Sequence, residues 1–297
     1  MTLLSTLKFI TSHPLNRDRK LAAAKRFLAW QIGSRLVPGP VAVRFVNDAR
    51  LLASPGMTGA TGNVYAGLHE FEDMAFALHL LRPGDLFVDV GANIGSYTVL
   101  AATTGAHCVS FEPLPQTFSH LQANIRLNGF GERVQARNLG VGRADGVCRF
   151  TAGLDTVNHV ASDAEAQAGA TLEIPVVALD QALAGLSPTL LKIDVEGFEA
   201  NVIAGAGRVL AEQASLDAVI LELNGSGARY GFDEAALHRQ MLDYGFATFT
   251  YSPFERALIS LQGKNAMAGN TLYVKNLDRV RQRLADAAKF HVLDQAI

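Results

Sequence analysis

Cysteine is almost missing from this chain: Cys108 and Cys148 are the only two in 297 residues. With no C-x-x-C spacing there is neither a disulfide framework nor a thiolate metal site, and a reducing, cytoplasmic home is the expectation. Cys108 falls inside an apolar run and reads as a small core residue. Charge is also scarce, at 18% of residues with a net of −2. A nucleic-acid partner requires a strongly basic face, so none is expected. Nothing approaches the roughly 18 consecutive apolar residues that span a bilayer. Lys8 interrupts the apolar N-terminus, and Ala22-Ala23-Ala24 matches a leader cleavage pattern only formally, because Arg17 to Lys20 separate it from that run. The G-x-G-x-x-G of dinucleotide sites is missing too. No internal repeat is present. At 49% apolar residues the chain can nevertheless bury a sizeable core.

The most informative stretch that is present is Phe87-Val88-Asp89-Val90-Gly91-Ala92-Asn93-Ile94-Gly95. An apolar strand carries a carboxylate near its end and runs into a turn with two glycines, after which helix-period residues begin at once. Glycines permit φ > 0 and close approach of a ligand, while the following helix presents free N–H groups. A second strand (His107 to Phe111) ends in Glu112, where a nucleoside ribose would be held by its hydroxyls. Asp89 would repel a pyrophosphate but attract the α-ammonium of a methionine-like ligand. The bland alternative is a helix-capping Asp and Asn in an ordinary turn. The acid at the second strand tip favours S-adenosylmethionine.

A second constellation is Leu190-Leu191-Lys192-Ile193-Asp194-Val195-Glu196-Gly197-Phe198-Glu199. Ligands of parallel sheets bind outside the carboxyl ends of the strands, where Asp194 and Glu196 stand. Strand alternation puts Lys192, Asp194 and Glu196 on one side. Three ionisable groups ending an apolar strand are costly to bury unless they pair or do chemistry. A Lys–carboxylate network and a helix N-cap account for Lys192 and Glu199; Asp194 is harder to dismiss. The next strand also ends in an acid, Glu222. A divalent metal held by Asp194, Glu196 or Glu222 would acidify an acceptor hydroxyl, but no ligand set is evident at tight sequence spacing, and no metal is expected.

Strands are expected at 86–90, 107–111, 133–138, 189–194, 217–223, 246–251 and 271–275. Helices are expected near 70–81, 94–104, 115–127, 199–211 and 233–243. Alternation of this kind predicts an α/β fold with a doubly wound, mostly parallel sheet. A hairpin (146–150 with 171–177) flanks an Ala/Glu/Gln/Gly-rich stretch, 161–170, that reads as a mobile lid. Residues 1–66 form a helical and hairpin extension, 67–276 the catalytic domain, and 277–297 an amphipathic helix that is either a packing helix or a homodimer contact. Within the extension, the basic helix after Arg17 reads either as a surface for an anionic membrane or as a cap packed on the catalytic domain with a solvated charged side. The cap is the expectation, and membrane contact is not.

Together, Pro83 through Gly95, Phe111-Glu112-Pro113, Asn124 with Asn128-Gly129, and Leu191-Lys192-Ile193-Asp194-Val195-Glu196-Gly197 resemble the FkbM-type methyltransferases, a branch of the class I S-adenosylmethionine-dependent enzymes. The resemblance implies a seven-stranded Rossmann-like sheet with its last strand antiparallel, and O-methylation of hydroxyls on sugars or secondary metabolites, a small-molecule or glycan acceptor. Carried over by position, Asp89, Gly91, Asn93 and Gly95 resemble the methionine-side loop, Glu112 the ribose ligand and Asn138 an adenine contact. Glu70 lies in a segment that folds over the cofactor in similar proteins. Asn124 and Asn128 cap and pack a helix. On the acceptor side the candidates are Asp194 and His159 as catalytic residues, with Asn158, Glu196 and Glu222 lining. His159 has the intrinsic pKa of a base. Two rivals stay open: a nicotinamide-dependent oxidoreductase on a similar sheet, and a cofactor-binding interaction module without catalysis.

Overall fold

A computed structural model describes residues 3–37, 39–151, 159–161 and 171–297. Asn158 and residues 162–170, within the expected lid, lie outside the described residues. The central sheet is built from β3 (Leu86–Val90), β4 (His107–Phe111), β5 (Val134–Arg137), β9 (Leu190–Ile193), β10 (Ala218–Glu222), β11 (Ala247–Ser252), β12 (Ala257–Ser260) and β13 (Asn270–Val274). Its order is β12-β11-β13-β10-β9-β3-β4-β5. From β5 to β10 every pairing is parallel, and β13 inserts antiparallel between β10 and β11. The seven expected strands are therefore present. An eighth, β12, hairpins back on β11.

Strand alternation sends side chains to two apolar layers. Phe87, Leu190 and Ile220 join one with Phe76, Leu100 and Val280; Val88, Leu191 and Val219 join the other with Val202, Leu210 and Met241. Those layers are covered on one side by α4 (Phe71–Leu80), α5 (Ser96–Thr103), α6 (Pro115–Leu127) and α10 (Leu277–Ala285), and on the other by α7 (Glu199–Ala204), α8 (Gly207–Glu212) and α9 (Glu234–Asp243). The single helix expected over 199–211 is broken. Gly205 lies against the carbonyl of Gly142, so the chain bends there to pack under the side sheet. That sheet comprises β6 (Gly140–Gly142), β7 (Gly146–Thr151) and β8 (Thr171–Ala178), the last two forming the expected hairpin.

The extension consists of α1 (Leu3–Ser12), α2 (Lys20–Leu36), hairpin β1 (Val41–Arg44) and β2 (Arg50–Ala53), and α3 (Thr58–Ala66). It is tied to the sheet by side-chain amides: the backbone N–H of Leu52 donates to Asn124 Oδ1 at 2.7 Å and that of Arg50 to Asn128 Oδ1 at 2.8 Å. Asn124 and Asn128 thus pack α6 against the hairpin.

The last helix stops at Ala285 instead of running to the 290s. Beyond it the apolar residues Phe290 and Val292 alternate as in a strand, and β14 (His291–Val292) pairs with β15 (Gln295–Ala296). Val292 bridges to Val46, and Gln295 Nε2 donates to the carbonyl of Leu15 at 2.6 Å, so the two ends of the chain meet. Phe290 is buried near His79. Truncating it by Phe290→Ala should remove about 3–5 kcal/mol of stability, the usual range for a buried aromatic. Urea denaturation reads this directly, and an unchanged midpoint would show that the C-terminal strap does not belong to the core.

Candidate active site

β4 continues the sheet to one side of β3 and β9 to the other, so β3/β9 is the topological switch point where such sheets bind ligands. A cleft of about 290 Å³ opens there over the carboxyl ends of β3, β4, β9 and β10. Both sequence constellations line it, and they touch. The N–H of Asp194 donates to Val90 at 3.0 Å, and the Asp194 carbonyl presses on Gly91. A Cβ on Gly91 would overlap that oxygen, and its φ of +84° is itself unfavourable for other residues. The glycine is thus needed for the approach of one backbone to another and for its positive φ, beside the ligand approach expected from the sequence.

The turn after β3 is internally satisfied. Gly91 and Ala92 both donate to the carbonyl of Phe111, at 3.1 and 2.9 Å, and Asn93, left-handed at φ 51°, accepts from Ile94 N–H at 2.7 Å. Gly95, with φ +90°, packs under Leu121. Glu112 closes the turn: Oε2 accepts from Asn93 N–H at 2.9 Å and Oε1 from Leu114 N–H at 3.0 Å. Each oxygen keeps a second lone-pair direction, compatible with a hydroxyl ligand. Asn138 instead lies behind the turn, its amide donating to the carbonyls of Glu112 and Pro113 at 2.9 and 2.8 Å; Leu139, Gly140 and Val141 line the cleft. The arrangement buttresses Glu112 rather than reaching an adenine. Asp89 is fully buried. One of its oxygens accepts from Thr98 Oγ1 at 2.7 Å and the other has no partner among the described residues, and burial raises its pKa. Glu70 accepts from Tyr97 Oη at 2.7 Å on the cleft wall.

On the acceptor side, Lys192 is buried, donates to Asp194 Oδ2 at 2.7 Å and stands 4.8 Å from the centre of the Tyr97 ring. Burial would raise the Asp194 pKa, but the Lys192 ammonium outweighs it and holds the carboxyl below its ordinary value. Glu222 goes the other way: burial, the Asp194 charge and a hydrogen bond shared with Asp194 all push it up. At neutral pH Glu222 is therefore the protonated member of the pair beside ionised Asp194. Glu196, left-handed at φ 54°, is raised by burial and by Asp194, with Arg229 and His159 pulling it back. His159 is buried and electrostatically coupled to Glu196, while its neighbour Val160 lines the cleft. Glu199 accepts from the N–H groups of Val195 and Gly197, both at 3.1 Å, and so shapes the loop.

The rim acids converge as their strand-end positions imply: Asp194, Glu196 and Glu222 each place an oxygen within 4.8 Å of the others, a set able to hold a cation, although such groups often gather without one. Lys192 and the proton held by Glu222 already offset much of that charge. Nothing in the sequence signals that Gly59 and Asn63 of α3 line the cleft, or that Phe150 and Phe198 wall it. One ammonium among Glu70, Asp89, Glu112, Asp194, Glu196 and Glu222 leaves an acidic cleft, and a sulfonium bearing an α-ammonium suits it. The unpartnered Asp89 oxygen is a ready acceptor for such a cation.

The sequence profile of the "Methyltransferase FkbM domain" matches residues 89–248, just over half of the chain. The 31-O-demethyl-FK506 methyltransferase FkbM of Streptomyces tacrolimicus is 29% identical over 56% of this chain and 80% of its own length. The hexuronic acid methyltransferase AglP of Haloferax volcanii is 28% identical over 47% of this chain and 56% of its own length. Among solved structures, a TehB-like S-adenosylmethionine-dependent methyltransferase of Corynebacterium glutamicum aligns with a TM-score of 0.40 at 10% identity, covering 73% of this chain and 94% of that one. A likeness so distant has no bearing on acceptor or mechanism.

Two expectations follow. Gly91→Ala combines left-handed strain with the overlap on Asp194, so it should cost about 2–5 kcal/mol of folding stability as well as cofactor affinity. Loss of affinity with an unchanged urea midpoint would return the glycine to a purely ligand-facing role. Burial pushes Glu112, Glu199 and Asp73 up to about 7. An unfolded carboxyl ionises near ~4, so between that pH and 7 the folded state alone keeps these protons. Their contribution is complete below the unfolded pKa and lost as pH rises through about 7. The ligand-free protein should therefore be more urea-resistant at pH 5.5 than 7.5, on the order of one such group less so in Glu112→Gln. An identical pH slope in that variant would show that Glu112 titrates normally.

Proposed function

This chain belongs to the FkbM methyltransferase family and is an S-adenosylmethionine-dependent methyltransferase, and from that premise we propose that it methylates a hydroxyl group on a sugar or secondary metabolite. The observation that carries the reading is the contact between Gly91 and the Asp194 backbone, which sets the cofactor turn and an ionised carboxylate side by side. The relatives support a hydroxyl acceptor: one is named for a demethylated oxygen and the other for hexuronic acid.

When bound, S-adenosylmethionine supplies an electrophilic methyl group on a sulfonium. The residues proposed to hold it are Asp89 and Glu70 on the methionine side and Glu112 at the ribose, with Gly91, Asn93 and Gly95 shaping the turn. Asp194 then accepts a hydrogen bond from the acceptor hydroxyl and aims its lone pair. As the oxygen forms its new bond the hydroxyl becomes strongly acidic, so even a carboxylate of low pKa takes its proton. Lys192 keeps Asp194 ionised, and Glu196 and Glu222 fix the rim beside it. His159 acts on the same rim through Glu196.

The experiment is to incubate the protein with S-adenosylmethionine and a panel of hydroxylated and amine acceptors, following S-adenosylhomocysteine release. Turnover confined to amines would overturn hydroxyl transfer. For Asp194→Asn we expect turnover at least ~100-fold lower with cofactor affinity kept within a few-fold. The competing account is structural, since unpairing buried Lys192 would itself be destabilising. Melting temperature and turnover on one sample separate them: a stable, inactive variant supports the catalytic assignment, whereas activity lost in step with stability favours a structural pair.

A further inference from the structure

The outward side of α2 carries Leu21, Leu28, Ile32 and Leu36 in one stripe, 83%, 56%, 60% and 76% exposed. Val37 extends it past the helix end. The inward side is apolar as well, with Ala23, Phe27 and Trp30 packed against Ile10, Tyr65 and Ile94. A helix that is hydrophobic all round is normally covered all round. Here the described residues of the chain cover one side. The other side carries exposed charges, as expected of a cap helix, but they flank a row of exposed leucines and isoleucine, and an apolar stripe of this length marks a docking surface.

Charge identifies what it fits. The first 37 residues hold seven Lys and Arg against Asp18 alone, a surplus of six in a chain whose net charge is −2. Lys25 projects from the stripe itself, with Lys20 and Arg35 exposed toward its ends and Arg17 and Arg19 just before it. Arg26 is occupied internally, donating to Asn16 Oδ1 at 2.6 Å and to the Tyr65 carbonyl at 3.0 Å, with Asp294 acting on it. Arg35 donates to Gln31 Oε1 at 2.7 Å. A second copy docked about a two-fold axis would set these like charges against one another. An interface that offers both hydrocarbon and anionic headgroups satisfies the leucines and the lysines together, as long cationic side chains keep their stems in the apolar layer and their heads at the phosphates.

We propose that the outer face of α2 seats this protein on an anionic membrane surface, with Leu28 and Ile32 entering the acyl boundary and Lys20, Lys25 and Arg35 meeting lipid phosphates. The helix lies on the bilayer without crossing it: no described helix is long and apolar enough to span one. On its inner side the helix packs on an element of the cleft wall: Phe27 of α2 meets Tyr65 of α3 with ring centres 5.2 Å apart, and Gly59 and Asn63 of α3 line the cleft.

Flotation of the intact protein with vesicles tests this, comparing equal parts phosphatidylglycerol and phosphatidylcholine with phosphatidylcholine alone. Binding is expected to the anionic vesicles and to weaken with salt. Two double variants, Leu28→Glu with Ile32→Glu and Lys25→Glu with Arg35→Glu, should each bind roughly tenfold or more weakly, since one removes the apolar anchor and the other reverses two charges. Melting temperature and S-adenosylmethionine binding should stay native in both, because these side chains face outward. Failure of the wild-type protein to float with anionic vesicles would overturn the proposal, as would undiminished binding by either variant. So would a dimer seen by sedimentation that the Leu28/Ile32 variant converts to monomer, which would identify a second copy as the occupant.

Discussion

Everything at the site depends on one backbone contact, the Asp194 carbonyl against the bare Cα of Gly91. The two runs lie about a hundred residues apart, yet β3 and β9 pair in parallel with Asp89 opposite Lys192 and Val90 opposite Ile193. Both strands then turn away from the sheet at the same level. A side chain at Gly91 would push the loops apart and open the rim. With none there, the turn that shapes the cofactor half and the carboxylate that faces the acceptor half form one unit. The proximity needed for an in-line transfer is built into the sheet register and does not wait for a ligand.

The second constraint is charge. Six carboxylates border a cleft that holds one buried ammonium, and proteins do not keep uncompensated charges there. Protons resolve the conflict: burial leaves Glu112 near its midpoint at neutral pH, and burial together with the Asp194 charge keeps Glu222 protonated. Lys192 then decides which carboxylate stays ionised, because its ammonium lies 2.7 Å from Asp194. The same surplus suits a cationic methyl donor and is unsuited to the pyrophosphate of a nicotinamide cofactor.

Much of the fold is legible because it is locally encoded. The strand at 86–90, the glycine turn, the acid at 112 and the Lys-Ile-Asp-Val-Glu-Gly run each announce themselves within a few residues, and β3, β4, β9 and β10 follow those limits closely. What stays hidden is set by residues distant in sequence. Helix periodicity continues through 199–211, but the carbonyl of Gly142 leaves no room at Gly205 and the helix breaks. The amphipathic pattern after Leu277 fits a longer helix, but Phe290, Val292 and Ile297 find a groove beside the hairpin only when extended. Asn138 reads as a ligand by position, whereas two carbonyls take up its amide. The three rim acids, by contrast, are legible as strand-end residues, and they meet because β9 and β10 are neighbours.

The division between legible and hidden parts follows function. A cofactor shared by many enzymes is held by a turn whose backbone geometry demands particular residues, so its half of the cleft leaves a motif. The rest of the cleft is assembled from α3, the side sheet and the loop after β9, segments far apart in the sequence that share no single run of residues. α3 joins that half to the outer surface: its inner side offers Gly59 and Asn63 to the cleft, and its outer side receives Phe27 and through it α2. A change that shifts α2 on its apolar bed therefore presses on a wall of the cleft, while Asp89, Glu112 and Asp194, fixed to the central sheet, are held independently of it. The helix pair thus couples the outer surface to one cleft wall and leaves the residues at the strand ends apart from that coupling.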